Sequence, residues 1–409
     1  MHTQIRKCRL CGGTDLEPSL DLGDQVLTGV FPRTRDQVVS HGPLRLVRCV
    51  APGGCGLLQL EHTFSLPEMY GENYGYRSGL NASMVRHLRA KVERILTISR
   101  PPQGSVVLDI GSNDGTTLAA YPEGEFTCVG IDPSARKFRR YYRSDAVVIE
   151  DFFSRNSFEL AFGSKKASIV TSFSMFYDLE APLEFAREVA SVLADDGMWV
   201  FEQSYMPLML ERNSYDTVCH EHLEYYSMRQ IQWILQAIGM KAVDLEFNDV
   251  NGGSFSVAAV KISNPMQASP LVEETLQKER ALGLDGPAPY RAFAERVAQS
   301  REDLRRFVAT AHAEGKRVAA LGASTKGNVL LQYCDFGVED IAVVGEVNED
   351  KFGAWTPGTR LPIQPEATVL EQGYDYYIVL PWHFRSTFQA KHPGRGAKLI
   401  FPLPELTVV

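Results

Sequence analysis

Two stretches of the chain share one pattern, and together they narrow the folds open to it. "SVVLDIGSNDG" (105–115) is an unbroken apolar run that meets a glycine turn, and "KRVAALGASTKGN" (316–328) repeats the arrangement far downstream. An apolar run without polar alternation is a strand buried on both faces, which requires a parallel sheet covered by helices. Around the first stretch, "FTCVGIDPS", "AVVIEDFF", "ASIVTSFSMF" and "MWVFEQS" read as further strands, with "APLEFAREVASVLADDG" as a helix among them. Upstream, Met84, Leu88, Val92, Ile95 and Leu96 form one helical stripe that Pro101 and Pro102 terminate. Around the second stretch lie an amphipathic helix from Tyr290 to about Glu314, closed by Gly315, and the strands "IAVVGEVNED" and "DYYIVLPW".

The expectation is an α/β chain of several domains, since 409 residues exceed the roughly 150 of an ordinary one. Residues 1–70 form a small cysteine-bearing module and 71–204 a doubly wound unit; 205–290 connect it to a second, Rossmann-like unit at 291–409. A net charge of −8 argues against a nucleic-acid surface. No apolar run reaches the roughly 20 residues of a membrane span, and "MHTQIRKCRLCGG" lacks the apolar core of a signal peptide. Seven cysteines, four of them bunched, suit a reducing cytoplasm.

Those four are Cys8 and Cys11, two residues between them, and Cys49 and Cys55, five between. Thiolates on glycine-rich turns can close a tetrahedral structural zinc site without a large core. The second spacing is looser than usual, and four free thiols are the alternative.

"LDIGSNDGTTL" puts Asp109 at a strand end, followed by Gly111, Asn113 and Gly115. Such a turn lets the backbone approach a ligand at a helix N-terminus. Asp132 ends the next strand, Asp151 and Phe152 follow the third, and Ser172 lies at the end of the fourth. The turn is not Gly-x-Gly-x-x-Gly; it resembles that of class I methyltransferases dependent on S-adenosylmethionine (SAM). The resemblance implies that Asp132 meets the ribose and that Asp151 and Phe152 flank the adenine.

In the second unit, Gly322 and Gly327 surround Ser324, Thr325 and Lys326, with Asn328 next. Backbone N–H groups, hydroxyls and an ammonium there suit a phosphate or diphosphate. Lys351 and the group Trp382, His383 and Arg385 lie near later strand ends. The plainer reading makes Lys326 a surface lysine and Trp382 a core plug. Between the units lies "SYDTVCHEHLEYYS" (214–227), readable as a metal site, an acid/base centre or an aromatic helix. His220-Glu221-His222 is not the His-Glu-x-x-His of zinc proteases, because Glu224 stands where the second ligand would be.

With "YGENYGYRSG", "NGGSF" and "LPWHFR", these motifs resemble, over essentially the whole chain, sugar C-methyltransferases acting on nucleotide-linked 4-keto-6-deoxyhexoses in antibiotic-sugar biosynthesis. The resemblance implies an N-terminal zinc module, a central SAM domain and a C-terminal domain holding a nucleotide sugar, usually a dTDP sugar. It implies methylation at C3 with His222 as the base. A 4-keto group acidifies the C3 hydrogen, and imidazole suits its removal near neutral pH. His220, Tyr76, Tyr225 or Tyr226 could steady the enolate oxygen, and Glu221 or Glu224 could orient a histidine. Tyr74, Tyr76 and Ser78 resemble a loop that closes over the sugar. Relatives often carry tyrosine where this chain has Cys219 and histidine near Asp178. An O- or N-methyltransferase on a small metabolite, or a non-catalytic nucleotide-sugar binder, are the competing readings.

Overall fold

The computed structural model describes residues 2–69, 77–391 and 396–409. Tyr74 and Tyr76 lie outside the described residues. The first α/β unit is a seven-stranded sheet in the order Met240–Asn248, Ser254–Lys261, Leu193–Ser204, Ala167–Phe173, Val106–Ile110, Thr127–Ile131 and Val147–Ile149. Ser254–Lys261 runs antiparallel to both neighbours, and the other described pairings are parallel. All five residues of Val106–Ile110 are buried, as an apolar run between two helical layers requires. The sheet draws its last two strands from 205–290, the stretch that reads as a connector. A register shift between Ala242 and Asp244 interrupts the alternation of Met240–Asn248.

The helix Ala82–Ile98 begins at Asn81, whose side chain accepts from Ser83 N, and ends before Pro101. It lies along the rim of this sheet. Lys91 Nζ bridges Glu202 at 2.8 Å and Glu246 at 3.0 Å, and His87 Nε2 lies 2.6 Å from Glu202 Oε1.

The C-terminal sheet has the order Ile363–Pro365, Val344–Glu346, Val318–Leu321, Tyr376–Val379, Lys398–Phe401 and Thr407–Val408, parallel except for the last strand. The long amphipathic helix spans Ala288–Ala313. In both sheets the chain reverses its direction of winding beside the strand that carries the glycine turn, the place where α/β folds open a crevice for ligands.

The N-terminal module is a four-stranded antiparallel sheet, and its fourth strand comes from far away in sequence. Leu16–Val26, His41–Cys49 and Leu58–Leu60 are followed by Glu224–Tyr225. The segment 214–227 is therefore not a helix. A 3-10 turn at Tyr215–Thr217 and a tight turn from Cys219 O to His222 N (3.2 Å) lead into that short strand. The module is also fused to the C-terminal unit. Leu20, Leu44, Leu46 and Leu60 share one apolar core with Tyr215, Leu223, Val329 and Leu330. Gln332 accepts from Val26 N (2.8 Å) and donates to Val26 O (3.1 Å), while Asn328 Nδ2 donates to Thr28 O (2.8 Å).

Candidate functional site

Four sulfurs define the first site. The Sγ atoms of Cys8, Cys11, Cys49 and Cys55 lie within 4.8 Å of one another, and none is in a disulfide. Cys8 and Cys55, and Cys11 and Cys49, are each 3.5 Å apart. A tetrahedral zinc thiolate with bonds of about 2.3 Å needs sulfurs about 3.8 Å apart, so the set fits with little adjustment. Hydrogen bonds from Cys8 N to Gly13 O and from Gly12 N to Cys8 O close the knuckle around the ion's place. Between these cysteines, Arg9 reaches back into the molecule. Its guanidinium donates to Leu60 O, His62 O and Thr63 Oγ1, and its Nε lies 3.8 Å from Glu224 Oε1.

The second site is the crevice above Val106–Ile110. Gly111, Asn113 and Gly115 all have positive φ (71°, 48° and 77°), so the turn folds tightly back on itself. A Cβ on Gly115 would lie 2.8 Å from the Tyr142 ring. The Tyr142 hydroxyl donates to Asn113 O at 2.8 Å and contacts Ser112 Oγ; no sequence motif marks this tyrosine as the organiser of the turn. Asp132 accepts from Asn113 N (2.8 Å) and Ser134 N (2.6 Å), tying two strand ends together. Asp109 lies underneath, fully buried. Thr171 donates to one of its oxygens, the other has no hydrogen-bond partner, and burial raises its carboxyl to about 7. An unpartnered buried carboxylate oxygen beneath the turn suits a ligand with a cationic amino-acid end, as SAM has.

Asp151 and the exposed Phe152 sit together at the end of the third strand. Ser172 departs from expectation: its hydroxyl accepts from Trp199 Nε1 (3.0 Å) inside the core, so the side chain does not face the rim. Ser78 departs too. Its backbone N–H donates to Asn113 Oδ1 (3.0 Å) and that of Gly79 to Asp114 Oδ2 (2.9 Å), which places it over the glycine turn.

The third site lies where all three units meet. His222 Nδ1 is 2.8 Å from the Thr217 carbonyl, which can only accept, so Nδ1 carries the proton and Nε2 keeps a free lone pair. Its ring packs on Tyr177 with centroids 4.3 Å apart. Burial, reinforced by the nearby Lys326 ammonium, pushes it down to about 3, so the imidazole is neutral at pH 7. Glu221 faces the same junction from the other side: a Cβ on Gly29 would collide with its carboxylate and lie 3.6 Å from Thr325 Oγ1. Burial raises its carboxyl, against the opposing effect of the Cys219 thiol.

His220 and Glu224 are not brought there. His220 is fully buried, edge-on to Phe64 at 4.6 Å, and burial lowers it to about 4. Glu224 faces Arg9 of the zinc knuckle. The Tyr226 ring stacks on Phe176 in the core, and the buried Tyr225 hydroxyl points to Thr217 O at 3.4 Å.

From the C-terminal unit, Ser324 caps its own helix by accepting from Gly327 N (3.0 Å), and Asn328 is spent on Thr28. Lys326 Nζ donates to Asn251 O at 2.7 Å. Lys351 Nζ donates to Ala323 O (2.7 Å) and sits 4.6 Å from the Phe31 ring centroid. Trp382 Nε1 donates to the buried Asp216 (2.9 Å), the His383 ring is tilted against Phe384 with centroids 4.3 Å apart, and the Arg385 guanidinium lies over Phe401. Asp216 is the residue that sequence reasoning missed. Its only signal was proximity to the His-Glu-His stretch.

A glycine-turn crevice over a seven-stranded sheet, with an acid at the next strand end and a four-cysteine knuckle alongside, defines a SAM-dependent methyltransferase carrying a structural zinc module. Sequence families support each part: a zinc binding domain matches residues 8–70, a methyltransferase domain 80–245, and a C-methyltransferase C-terminal domain 249–404. The C-methyltransferase NovU of Streptomyces niveus is 29% identical over 412 aligned residues, 99% of this chain and 97% of that one. The chain is thus similar to C-methyltransferases along its whole length, with the three family models matching successive parts of it. Solved methyltransferases align more thinly. Magnesium protoporphyrin IX methyltransferase (ChlM) from Synechocystis PCC 6803 is 14% identical over 43% of this chain and 79% of its own (TM-score 0.33). Mitomycin 7-O-methyltransferase MmcR is 11% identical over 44% and 55% (TM-score 0.35). No helix among the described residues is long and apolar enough to cross a membrane.

Proposed function

We propose that the protein methylates C3 of a dTDP-linked 4-keto-deoxysugar, with His222 as the base that removes the C3 proton. The observation that carries this reading is the tautomer of His222. Its Nδ1–H is committed to Thr217 O, which leaves Nε2 as a proton acceptor at the junction of the SAM unit and the C-terminal unit. Carbon becomes a nucleophile only after a proton leaves beside a carbonyl, and a neutral imidazole is the acceptor that step needs. Bound SAM supplies an electrophilic methyl group. Asp132, Asp151 and Phe152 hold its nucleoside end, with Asp109 beneath the turn formed by Gly111, Asn113 and Gly115. In the second crevice, Glu346 ends the strand beside Val318–Leu321, as Asp132 follows the strand beside Val106–Ile110. Its carboxylate accepts from Val347 N and Asn348 N and has lone pairs left for the 3′-hydroxyl of a deoxyribose. Lys351, Thr325 and Trp382 border that crevice, and Glu221 closes it from the side of the N-terminal module.

Incubation with SAM and a panel of dTDP-4-keto sugars, followed by mass spectrometry and NMR of the product, tests the reading. The expected product carries a new C-methyl at C3; a methyl on oxygen or nitrogen overturns it. Without SAM, the substrate is expected to exchange its C3 hydrogen for deuterium, and Glu346→Gln is expected to weaken dTDP binding.

A further inference from the structure

We infer that Lys326 is not a diphosphate anchor but the cation that receives the negative charge developing on the substrate's carbonyl oxygen, and that the Asp216 carboxylate, held by Trp382, helps keep that lysine charged. The inference rests on the reading of His222 as a carbon-proton base.

Lys326 follows a glycine turn, the place for a phosphate ligand, yet the structure directs its ammonium elsewhere. The helix N-terminus is already capped by Ser324 Oγ, and Lys326 Nζ donates to Asn251 O. Asn251, Gly252 and Gly253 have φ of 57°, 91° and 133°, a backbone path that turns a carbonyl toward the lysine. The next residue of that loop closes a ring of contacts. A Cβ on Gly252 would lie 3.6 Å from the Trp382 ring and 3.7 Å from Ser214 Oγ. Trp382 donates to Asp216, and Thr217, the adjacent residue, holds His222. Loop 250–253, the strand-end group at 382–383 and segment 214–222 therefore converge on one ammonium. The charged and titratable groups facing it are Asp216, Cys219, His222 and His383.

An ammonium with one hydrogen bond to a carbonyl keeps two further donors for a ligand. When Nε2 of His222 takes the proton, the C–H electron pair moves onto the carbonyl oxygen. A cation beside that oxygen stabilises the charge without itself losing a proton. The pairing also resolves a difficulty. The ammonium that weakens His222 as a base makes the carbon acid stronger, so the proton transfer is not penalised twice.

The experiment compares wild type with Lys326→Met by four measurements: dTDP affinity and SAM affinity by calorimetry, C3 deuterium exchange without SAM, and kcat. The expected result is nucleotide and SAM affinities within about twofold, with exchange and kcat down by about 10²-fold or more. A tenfold loss of dTDP affinity with exchange from saturated enzyme unchanged assigns Lys326 to the diphosphate and overturns the inference. If wild type shows no exchange, the His222 reading fails first and this inference with it. Asp216→Asn gives an independent answer if Lys326→Met does not fold. Removing the carboxylate lowers the lysine's affinity for its proton, so the alkaline limb of the kcat profile is expected to move to lower pH. An unmoved limb removes Asp216 from the role, and a limb moved to higher pH contradicts the inference.

Discussion

At the scale of single residues, neutrality is the recurring theme. His222 is uncharged because burial and a neighbouring cation oppose its protonation, and one carbonyl fixes which nitrogen is free. His222→Asn keeps a donor for Thr217 O but offers no basic nitrogen. Turnover is expected to fall by about 10²–10⁴-fold with SAM binding by calorimetry unchanged; near-normal turnover would remove His222 from the chemistry. Asp109 gives a prediction of opposite sign. Its carboxyl binds a proton in the folded state up to about 7, against an ordinary value of 3.8. Between those values the folded protein holds a proton that the unfolded chain has released, so stability declines as pH rises and levels off above 7. In the ligand-free protein, Asp109→Asn should melt like wild type near pH 4 and higher than wild type at pH 8, by an amount worth on the order of a few kcal/mol. Equal melting temperatures at pH 8 would contradict this account.

At the scale of elements, the glycine turns show what was legible in sequence and what was not. Gly322 has φ of 84°, and a Cβ there would lie 2.5 Å from Pro381 Cδ. Gly322→Ala is expected to cost on the order of 1–3 kcal/mol in chemical denaturation, whereas Gly373→Ala, where a Cβ meets nothing within 4 Å but φ is 66°, should cost less. The turns, the strands before them and the helix Ala82–Ile98 were readable because each depends on a contiguous run of residues with a period. The four cysteines were readable because zinc ligation imposes a spacing. Three features left no local trace. Glu224–Tyr225 is a strand only because Gln59 and Leu58 lie opposite it. His220 and His222 differ by two positions yet face different surroundings, the first the N-terminal module and the second the junction. Ser172 and Ser324 carry the right chemistry for ligands, but local partners, Trp199 and the helix start, have first claim on them.

At the scale of the molecule, the zinc module is a load shared with its neighbours. Its sheet shares a core with the C-terminal unit, whereas Cys8, Cys49 and Cys55 pack in the core of the seven-stranded sheet, and Gln230 Nε2 donates to Cys55 O at 2.9 Å. Stripping zinc with a chelator at pH 7 is expected to abolish turnover and lower the melting temperature while SAM binding survives, since the seven-stranded sheet takes no strand from the module. Loss of SAM affinity together with zinc would contradict that division. The strand Glu224–Tyr225 has a further consequence in time rather than space. Its partners at 58 and 59 leave the ribosome long before it does, and the five strands of the seven-stranded sheet within 106–204 lie between them in sequence. Closing that loop is a non-local event, which folding chains reach late. The glycine-turn crevice can therefore take shape in a nascent chain before His222 is in place, and the three-unit junction is assembled only when an early segment and a segment from mid-chain meet.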